Sequence, residues 1–144
     1  MIKTVAVGTD GSDTAAKAVD FAIDLAARYE AGIVFLSAYK AASEERRQRE
    51  SRDAPEDVQW QFSASEDVDP SLRDAEESAE ERGLNAKSEA KEGEPSKVLV
   101  ELAEKHNADV LVIGNKGMDR KVLGSVPNTV SHKATCSVFI VKTS

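Results

Sequence analysis

The fold of this chain is constrained most by four short apolar runs and one weaker candidate strand, which are separated by segments long enough to form helices. The first run, Thr4–Gly8, and a later one over residues 108–113 are apolar without the alternation of a half-exposed strand. Unbroken apolar runs are typical of parallel strands that are covered on both faces. Strands joined by helix-length connections pack into a parallel sheet with helices on both sides. The pattern therefore predicts a doubly wound α/β fold.

The predicted elements follow from spacing and from terminal residues. Apolar residues at helical spacing, from Ala15 to Tyr29, predict a first helix. Asp69-Pro70 is typical of a helix start, and Gly83 is typical of a left-handed helix stop. The predicted strands cover residues 4–8, 32–39, 85–91, 108–113 and 137–141, and the predicted helices cover residues 13–30, 69–83, 95–106 and 127–133.

Single residues refine this picture at two places. Lys87, Glu89 and Lys91 in the third strand predict that this strand lies at a sheet edge, where charges discourage further pairing. His106 in the last turn of a helix suits the negative end of the helix dipole, which favours a structural role over metal ligation.

Size and composition limit the class of protein. A chain of 144 residues is expected to form one domain over residues 1–144. A single cysteine, Cys136, excludes an internal disulfide framework and indicates a cytoplasmic location. The net charge of −7 argues against binding to nucleic acid or to an anionic membrane, and no apolar run approaches the length of a membrane span.

Residues 40–67 are expected to form a mobile or partly ordered insertion between the second strand and the second helix. Most of this segment carries mixed charges and few large apolar groups. Val58, Trp60 and Phe62 alternate near its end and are expected to anchor it to the body or to a partner. Trp60 is a weaker candidate for stacking on a ligand base.

A glycine-rich segment carries the main functional signal. Gly114 and Gly117 follow the apolar run at residues 108–113, and Gly124-Ser125 opens a helix. Glycine lets backbone N–H groups approach a phosphate, and a helix start adds unpaired donors and the positive dipole end. Lys116 and Arg120 lie inside this segment, in the locally basic part of an acidic chain.

A second loop with suitable chemistry follows the first strand. Thr9 and Asp10 begin a turn directly after residues 4–8. Ligands of doubly wound sheets bind beyond the carboxyl ends of the strands, where the strand order reverses. If the first and fourth strands are neighbours, the predicted ligand site therefore lies between this loop and the glycine-rich segment.

Four stretches together resemble the universal stress protein family: residues 5–12, residues 93–95, residues 108–114 and the closing Gly-Ser-Val-Pro-Asn at residues 124–128. The resemblance covers the whole chain except residues 40–67. The residues of its glycine motifs are most similar to those of actinobacterial members. It implies a Rossmann-like sheet of five strands in the order 3-2-1-4-5. It also implies a homodimer that forms through the last strand, residues 137–141.

The resemblance also implies a site for an adenine nucleotide, since some family members bind ATP and others bind cyclic AMP. Members that bind nucleotides carry G-x-x-G, nine residues, and then G-S or G-T. The implied phosphate ligands are the backbone N–H groups of Gly114, Gly117 and Gly124 and the Ser125 hydroxyl. The remaining implied contacts are Asp10 on the ribose and adenine side, the backbone of Ala38 at the base edge, and Ile113 and Val126 flanking the site.

This chain departs from the family motif in its spacer, because only six residues separate Gly117 from Gly124. The spacer is three residues short, which is nearly one helical turn. One outcome is a tighter loop that brings Arg120 or Lys121 closer to the phosphates. The other outcome is a pocket too small for a triphosphate, with room for AMP, cyclic AMP or no nucleotide.

Three functions remain open at this point, and the first is favoured. The first is a regulatory protein that binds an adenine nucleotide, with Asp10 as a candidate Mg²⁺ ligand. The second is a homodimeric adaptor that binds no nucleotide and acts through its surfaces. The third is an enzyme, at most a slow ATP hydrolase. It has little support, because the chain lacks the P-loop motif G-K-[ST] and no histidine lies in a predicted site loop.

Overall fold

The computed structural model describes residues 1–9, 13–39, 69–115 and 125–142. Within these residues, strands and helices alternate along the chain, and their bounds differ from the predicted ones by at most two residues. The elements are β1 (Thr4–Gly8), α1 (Asp13–Tyr29), β2 (Gly32–Tyr39), α2 (Asp69–Glu81), β3 (Ala86–Glu92), α3 (Pro95–Lys105), β4 (Val110–Gly114), α4 (Ser125–Lys133) and β5 (Ser137–Val141). The predictions for the insertion at residues 40–67, including Trp60, lie outside the described residues.

The strands form one parallel sheet in the order β3-β2-β1-β4-β5. The predicted doubly wound sheet and its strand order are both confirmed. β1 pairs with β2 on one side and with β4 on the other, so the strand order reverses at β1. β4 lies inside the sheet between β1 and β5.

The two faces of the sheet bury separate apolar clusters. Val5 and Val7 of β1 belong to one cluster with residues of α1 and α2, and Ala6 belongs to the other cluster with residues of α3 and α4. This alternation follows from the two-residue period of a strand. The predicted apolar face of α1 is buried except at its last residue, Tyr29, which is 47% exposed.

Charged side chains of the edge strand β3 pair with α3. Lys91 Nζ lies 2.8 Å from Glu101 Oε2, and Lys105 Nζ lies 2.8 Å from Glu89 Oε2. His106 forms the C-cap of α3, and its Nε2 lies 2.7 Å from Glu89 Oε1. The hydrogen bond from Lys105, assisted by His106, lowers the pKa of Glu89. The structure therefore gives His106 the structural role that the sequence predicts.

Candidate functional site

The strand order of the sheet reverses at β1, and we call the space beyond the carboxyl ends of β1 and β4 the crevice. β1 and β4 are parallel neighbours, with Val5 opposite Val110 and Val7 opposite Val112. The segments that follow Gly8 and Gly114 therefore leave adjacent strands at the same edge. In an open α/β sheet, this is the position at which ligands bind.

β2 extends past the end of β1, so the last residues of β2 do not pair with β1. Pairing of β1 with β2 ends at Gly8 and Leu36, while β2 continues to Tyr39 along β3. The Thr9 N–H donates to the Leu36 carbonyl oxygen at 2.9 Å. On its other side, β2 accepts a hydrogen bond from the Gly93 N–H at the Tyr39 carbonyl oxygen, also at 2.9 Å.

These two bonds fix the direction of the backbone groups of Ala38. Successive residues of a parallel strand direct their N–H and C=O groups to opposite neighbours. The backbone groups of Leu36 point to β1 and those of Tyr39 point to β3. By alternation, the backbone groups of Ala38 point to the β1 side of β2, at a position beyond the last residue of β1. Its N–H and C=O are thus directed into the crevice, at the position implied for the edge of a base.

The first residues of the glycine-rich segment are held by the neighbouring edge strand. The Asn115 N–H donates to the Val141 carbonyl oxygen at 3.1 Å, and the Asn115 side chain is fully buried. Since Asn115 faces β5, Gly114 directs its backbone groups toward β1, which is the side of the crevice. Ile113 is 3% exposed and packs in the apolar cluster beneath.

The far end of the glycine-rich segment is the start of α4. Ser125 is exposed at the first position of this helix, and Val126 is partly buried against the same cluster as Ile113. The positive end of the helix dipole lies here. Of the predicted site residues, the structure places six near the carboxyl edge: Thr9, Ala38, Ile113, Gly114, Ser125 and Val126. The other five, Asp10, Lys116, Gly117, Arg120 and Gly124, lie outside the described residues.

Gly8 contributes to the site by allowing a helix to pack closely beside it. A Cβ atom at Gly8 would lie 3.0 Å and 3.1 Å from the two terminal carbons of Leu99. The missing side chain therefore lets α3 pack closely against the end of β1. Gly8 serves packing beside the crevice, and only its place at the end of an apolar run could have indicated this.

A groove of about 220 Å³ opens beside Thr9 on the α1 and α2 face. Asp20 and Asp74 contribute its carboxylates, and Ser71 and Ser78 contribute hydroxyl groups. The sequence did not predict this groove, because its walls come from two helices that are distant along the chain.

A larger cleft of about 800 Å³ lies at the opposite, amino edge of the sheet. Arg82 and His106, which line it, follow helix ends and already face acids, at 3.6 Å from Asp24 and 2.7 Å from Glu89. Helix ends with basic side chains are the ordinary arrangement at this edge, because cations stabilise the negative end of the dipole. This cleft is larger than the groove beside Thr9, but the chemistry favours the carboxyl edge.

Other functional groups give no competing site in the described part of the chain. No group of three or more His, Cys, Asp or Glu side chains there is arranged to hold a metal ion. Burial raises the pKa of the Cys136 thiol, which disfavours a reactive thiolate. His132 is exposed on α4. Among the described residues, no helix has the length and apolar character needed to cross a membrane.

The model of the universal stress protein family matches residues 1–142. The chain belongs to this family. The universal stress protein Rv1636 of Mycobacterium tuberculosis is 38% identical over 145 residues, covering 98% of this chain and 97% of that protein.

Solved structures of universal stress proteins share the fold. One, described as a complex with cAMP, is 36% identical with a TM-score of 0.74 and covers 99% of both chains. Another, from Archaeoglobus fulgidus in complex with dAMP, has a TM-score of 0.68 at 21% identity and covers 99% of this chain and 98% of that chain. The likeness at 21% identity shows the fold, and the relative that is 36% identical is described as a complex with cAMP.

Proposed function

We propose that this protein binds an adenine nucleotide at the carboxyl edge of the sheet and acts as a regulatory protein without catalysis. The observation that carries the proposal is the direction of the Ala38 backbone, whose N–H and C=O point to the β1 side of β2, beyond the last residue of β1. The cAMP complex of a relative that is 36% identical supports it. A stress-related role in the cytoplasm is part of the same proposal and is supported by membership of the family.

The orientation of Ala38 favours adenine over guanine. The Watson–Crick edge of adenine places an acceptor, N1, beside a donor, the N6 amino group, which matches one N–H and one C=O. Guanine carries the donor and the acceptor at these two positions in exchanged order. Once the phosphate end is fixed by the glycine-rich segment, guanine cannot reverse its edge without moving the sugar.

Isothermal titration calorimetry with cAMP, AMP, ATP and cyclic GMP tests this function. We expect at least one adenine nucleotide to bind and cyclic GMP to bind at least about tenfold more weakly, because a mismatched buried hydrogen-bonding group costs about 1–3 kcal/mol. Equal affinity for cAMP and cyclic GMP would contradict the base-reading role of Ala38. If no nucleotide bound, an adaptor that acts through its surfaces would be the better account.

Ala38→Pro removes the N–H donor itself. This N–H faces away from β3, so the ladder between β2 and β3 keeps its bonds. Affinity for the bound adenine nucleotide should fall by roughly tenfold. Ala38→Val is the matched control, since it changes the side chain and keeps both backbone groups, and it should retain binding. Circular dichroism verifies that both variants fold.

The proposed assembly is a homodimer through β5. Val141 faces β4, because its carbonyl oxygen accepts the Asn115 N–H. By alternation, Val138 and Ile140 direct their N–H and C=O groups outward from the sheet edge. An apolar edge strand with outward backbone groups is a template for pairing with another strand. A second copy supplies that strand with closed two-fold symmetry.

The alternation also gives the register of the proposed pair. With the two-fold axis at the midpoint of β5, Val138 of one copy lies opposite Ile140 of the second copy, and each such pair exchanges two hydrogen bonds. Phe139 then lies opposite Phe139 of the second copy, as a non-hydrogen-bonded pair with close side chains. Phe139 is 43% exposed, and its ring centroid lies 4.6 Å from that of the half-buried Phe21, so this register covers an exposed aromatic ring.

A further inference from the structure

The start of the glycine-rich segment is attached to the strand that forms the proposed dimer edge. Gly114 lies opposite Val141 in the β4–β5 register, and the Asn115 N–H extends this ladder by one more bond of 3.1 Å. Asn115 is fully buried. The backbone that enters the segment is therefore positioned by the last residue of β5.

The end of the same segment is attached to β5 by packing. Ser125 begins α4, and Val126 and Val130 of this helix belong to one apolar cluster with Val138 and Ile140 of β5. Val130 is completely buried. A displacement of β5 would thus displace both described ends of the segment, one through a hydrogen bond and the other through side-chain contacts.

β5 itself is held on one side only among the described residues, because it pairs with β4 at the edge of the sheet. Its residues are half-buried or exposed, whereas Val110, Leu111 and Val112 of β4 are buried. Elements with few buried contacts sample local opening more often than the core does. Pairing with a second copy would add hydrogen bonds to this strand and reduce its opening.

We propose that nucleotide binding at the carboxyl edge and association of two copies through β5 are coupled, so that each strengthens the other. The proposal rests on both parts of the proposed function. It needs no contact between the partner and the nucleotide. β5 contacts both described ends of the glycine-rich segment and also forms the proposed dimer edge. Such coupling is reciprocal: if dimerisation tightens each of the two nucleotide sites by a given factor, saturating nucleotide tightens the dimer by the square of that factor.

Two measurements on the unmodified protein test the coupling. The affinity for cAMP is measured at protomer concentrations below and above dimer formation, and sedimentation equilibrium is measured with and without saturating cAMP. We expect each site to bind cAMP at least about fivefold more tightly in the dimer, which is the lower end of typical coupling, and saturating cAMP to tighten the dimer by the square of that factor. A factor near one, or weaker cAMP binding by the dimer than by the monomer, would overturn the proposal.

A pair of matched variants separates the dimer from the nucleotide site. Phe139→Asp places a charge at the centre of the proposed interface, and Tyr29→Asp places one at a similarly exposed aromatic residue at the end of α1. Phe139→Asp should remain monomeric and bind cAMP at least about fivefold more weakly than the dimer. Tyr29→Asp should behave like the unmodified protein in both respects.

The outcomes distinguish this inference from the function beneath it. If the unmodified protein binds cAMP equally as monomer and dimer, the coupling is wrong and the nucleotide site stands. If it binds none of cAMP, AMP and ATP in either state, both proposals fail. A protein that stays monomeric at every concentration also overturns the coupling. Should Phe139→Asp unfold, the concentration series alone decides.

Discussion

At the scale of single residues, Asp109 joins parts of the chain that no local pattern connects. Its Oδ2 accepts the backbone N–H of Lys3 at 2.8 Å and that of Thr4 at 3.0 Å, and its own N–H donates to the Thr4 carbonyl oxygen at 2.9 Å. Asp109 and Thr4 are 105 residues apart in sequence. The carboxylate therefore fixes the start of β1 against the start of β4, which in turn sets the alignment of both loops at the opposite edge.

Asp109→Asn should lower the melting temperature by a few degrees at pH 7. The backbone hydrogen bonds from Lys3 and Thr4 lower the pKa of Asp109. A carboxyl whose pKa is lowered by folding stabilises the fold above its unfolded pKa of about 3.9, and this stabilisation is lost as the pH falls through the folded pKa. Asparagine keeps one acceptor oxygen but lacks the charge that strengthens both bonds.

Differential scanning fluorimetry between pH 7 and pH 3 measures this effect. The gap in melting temperature between the unmodified protein and Asp109→Asn should narrow below about pH 4. Asp20→Asn, at an exposed position on α1, is the control. At each pH its melting temperature should equal that of the unmodified protein. A gap that stays constant down to pH 3 would show that the charge of Asp109 contributes nothing.

At the scale of elements, the ends of α2 and α3 follow directly from the sequence. Gly83 has a φ of 77°, its N–H donates to the Glu80 carbonyl oxygen at 2.9 Å, and the Leu84 N–H donates to that of Ala79 at 3.1 Å. These are the two bonds of a Schellman motif. Pro95 occupies the first turn of α3, as the sequence predicts. Helix ends depend on neighbouring residues, so local patterns are sufficient to find them.

Gly83→Ala should destabilise the protein by about 1 kcal/mol, because a Cβ atom in the left-handed conformation costs roughly 1–2 kcal/mol and a stiffer unfolded chain recovers part of this. The free energy of unfolding from urea titrations measures the loss. Gly32→Ala is the control: its Cβ would lie 3.6 Å from the Asn85 carbonyl oxygen, an ordinary contact, and its φ is not in the left-handed range. Equal losses in the two variants would contradict a conformational cause.

Other element-level features could not be read from the sequence. The apolar runs predict a parallel sheet, but the order of its strands came only with the family resemblance. The direction of the Ala38 backbone depends on where β1 stops beside β2, which is a property of the register. The packing of Leu99 over Gly8 likewise requires α3 to be placed against β1. These features depend on contacts between distant segments. The spacing of apolar residues within an element and the residues at its ends indicate only local conformation.

At the scale of the whole molecule, the proposed register of the dimer can be tested directly. In a background with Cys136→Ser, Phe139→Cys should form a disulfide between two copies under mild oxidation. Residues directly opposite in a non-hydrogen-bonded pair have Cβ atoms about 4.5–5.5 Å apart, close to the separation that a disulfide bridges. Non-reducing gel electrophoresis detects the cross-link.

Ile140→Cys in the same background is the matched control. In the proposed register, this residue faces Val138 of the second copy, so two cysteines at position 140 lie too far apart to join. Cross-linking at position 140 instead of position 139 would contradict the proposed register and show that the two-fold axis lies one residue further along β5. It would then place Phe139 away from its counterpart.

The two edges of the sheet differ in a way that limits growth. β5 presents apolar side chains, whereas β3 carries Lys87, Glu89 and Lys91, two of which are engaged with α3. A ten-stranded sheet formed by two copies would therefore end in a charged strand on both sides. Charged side chains on an edge strand discourage further pairing, so among the described residues the β3 edges of the proposed dimer would resist addition of a third chain and growth into filaments.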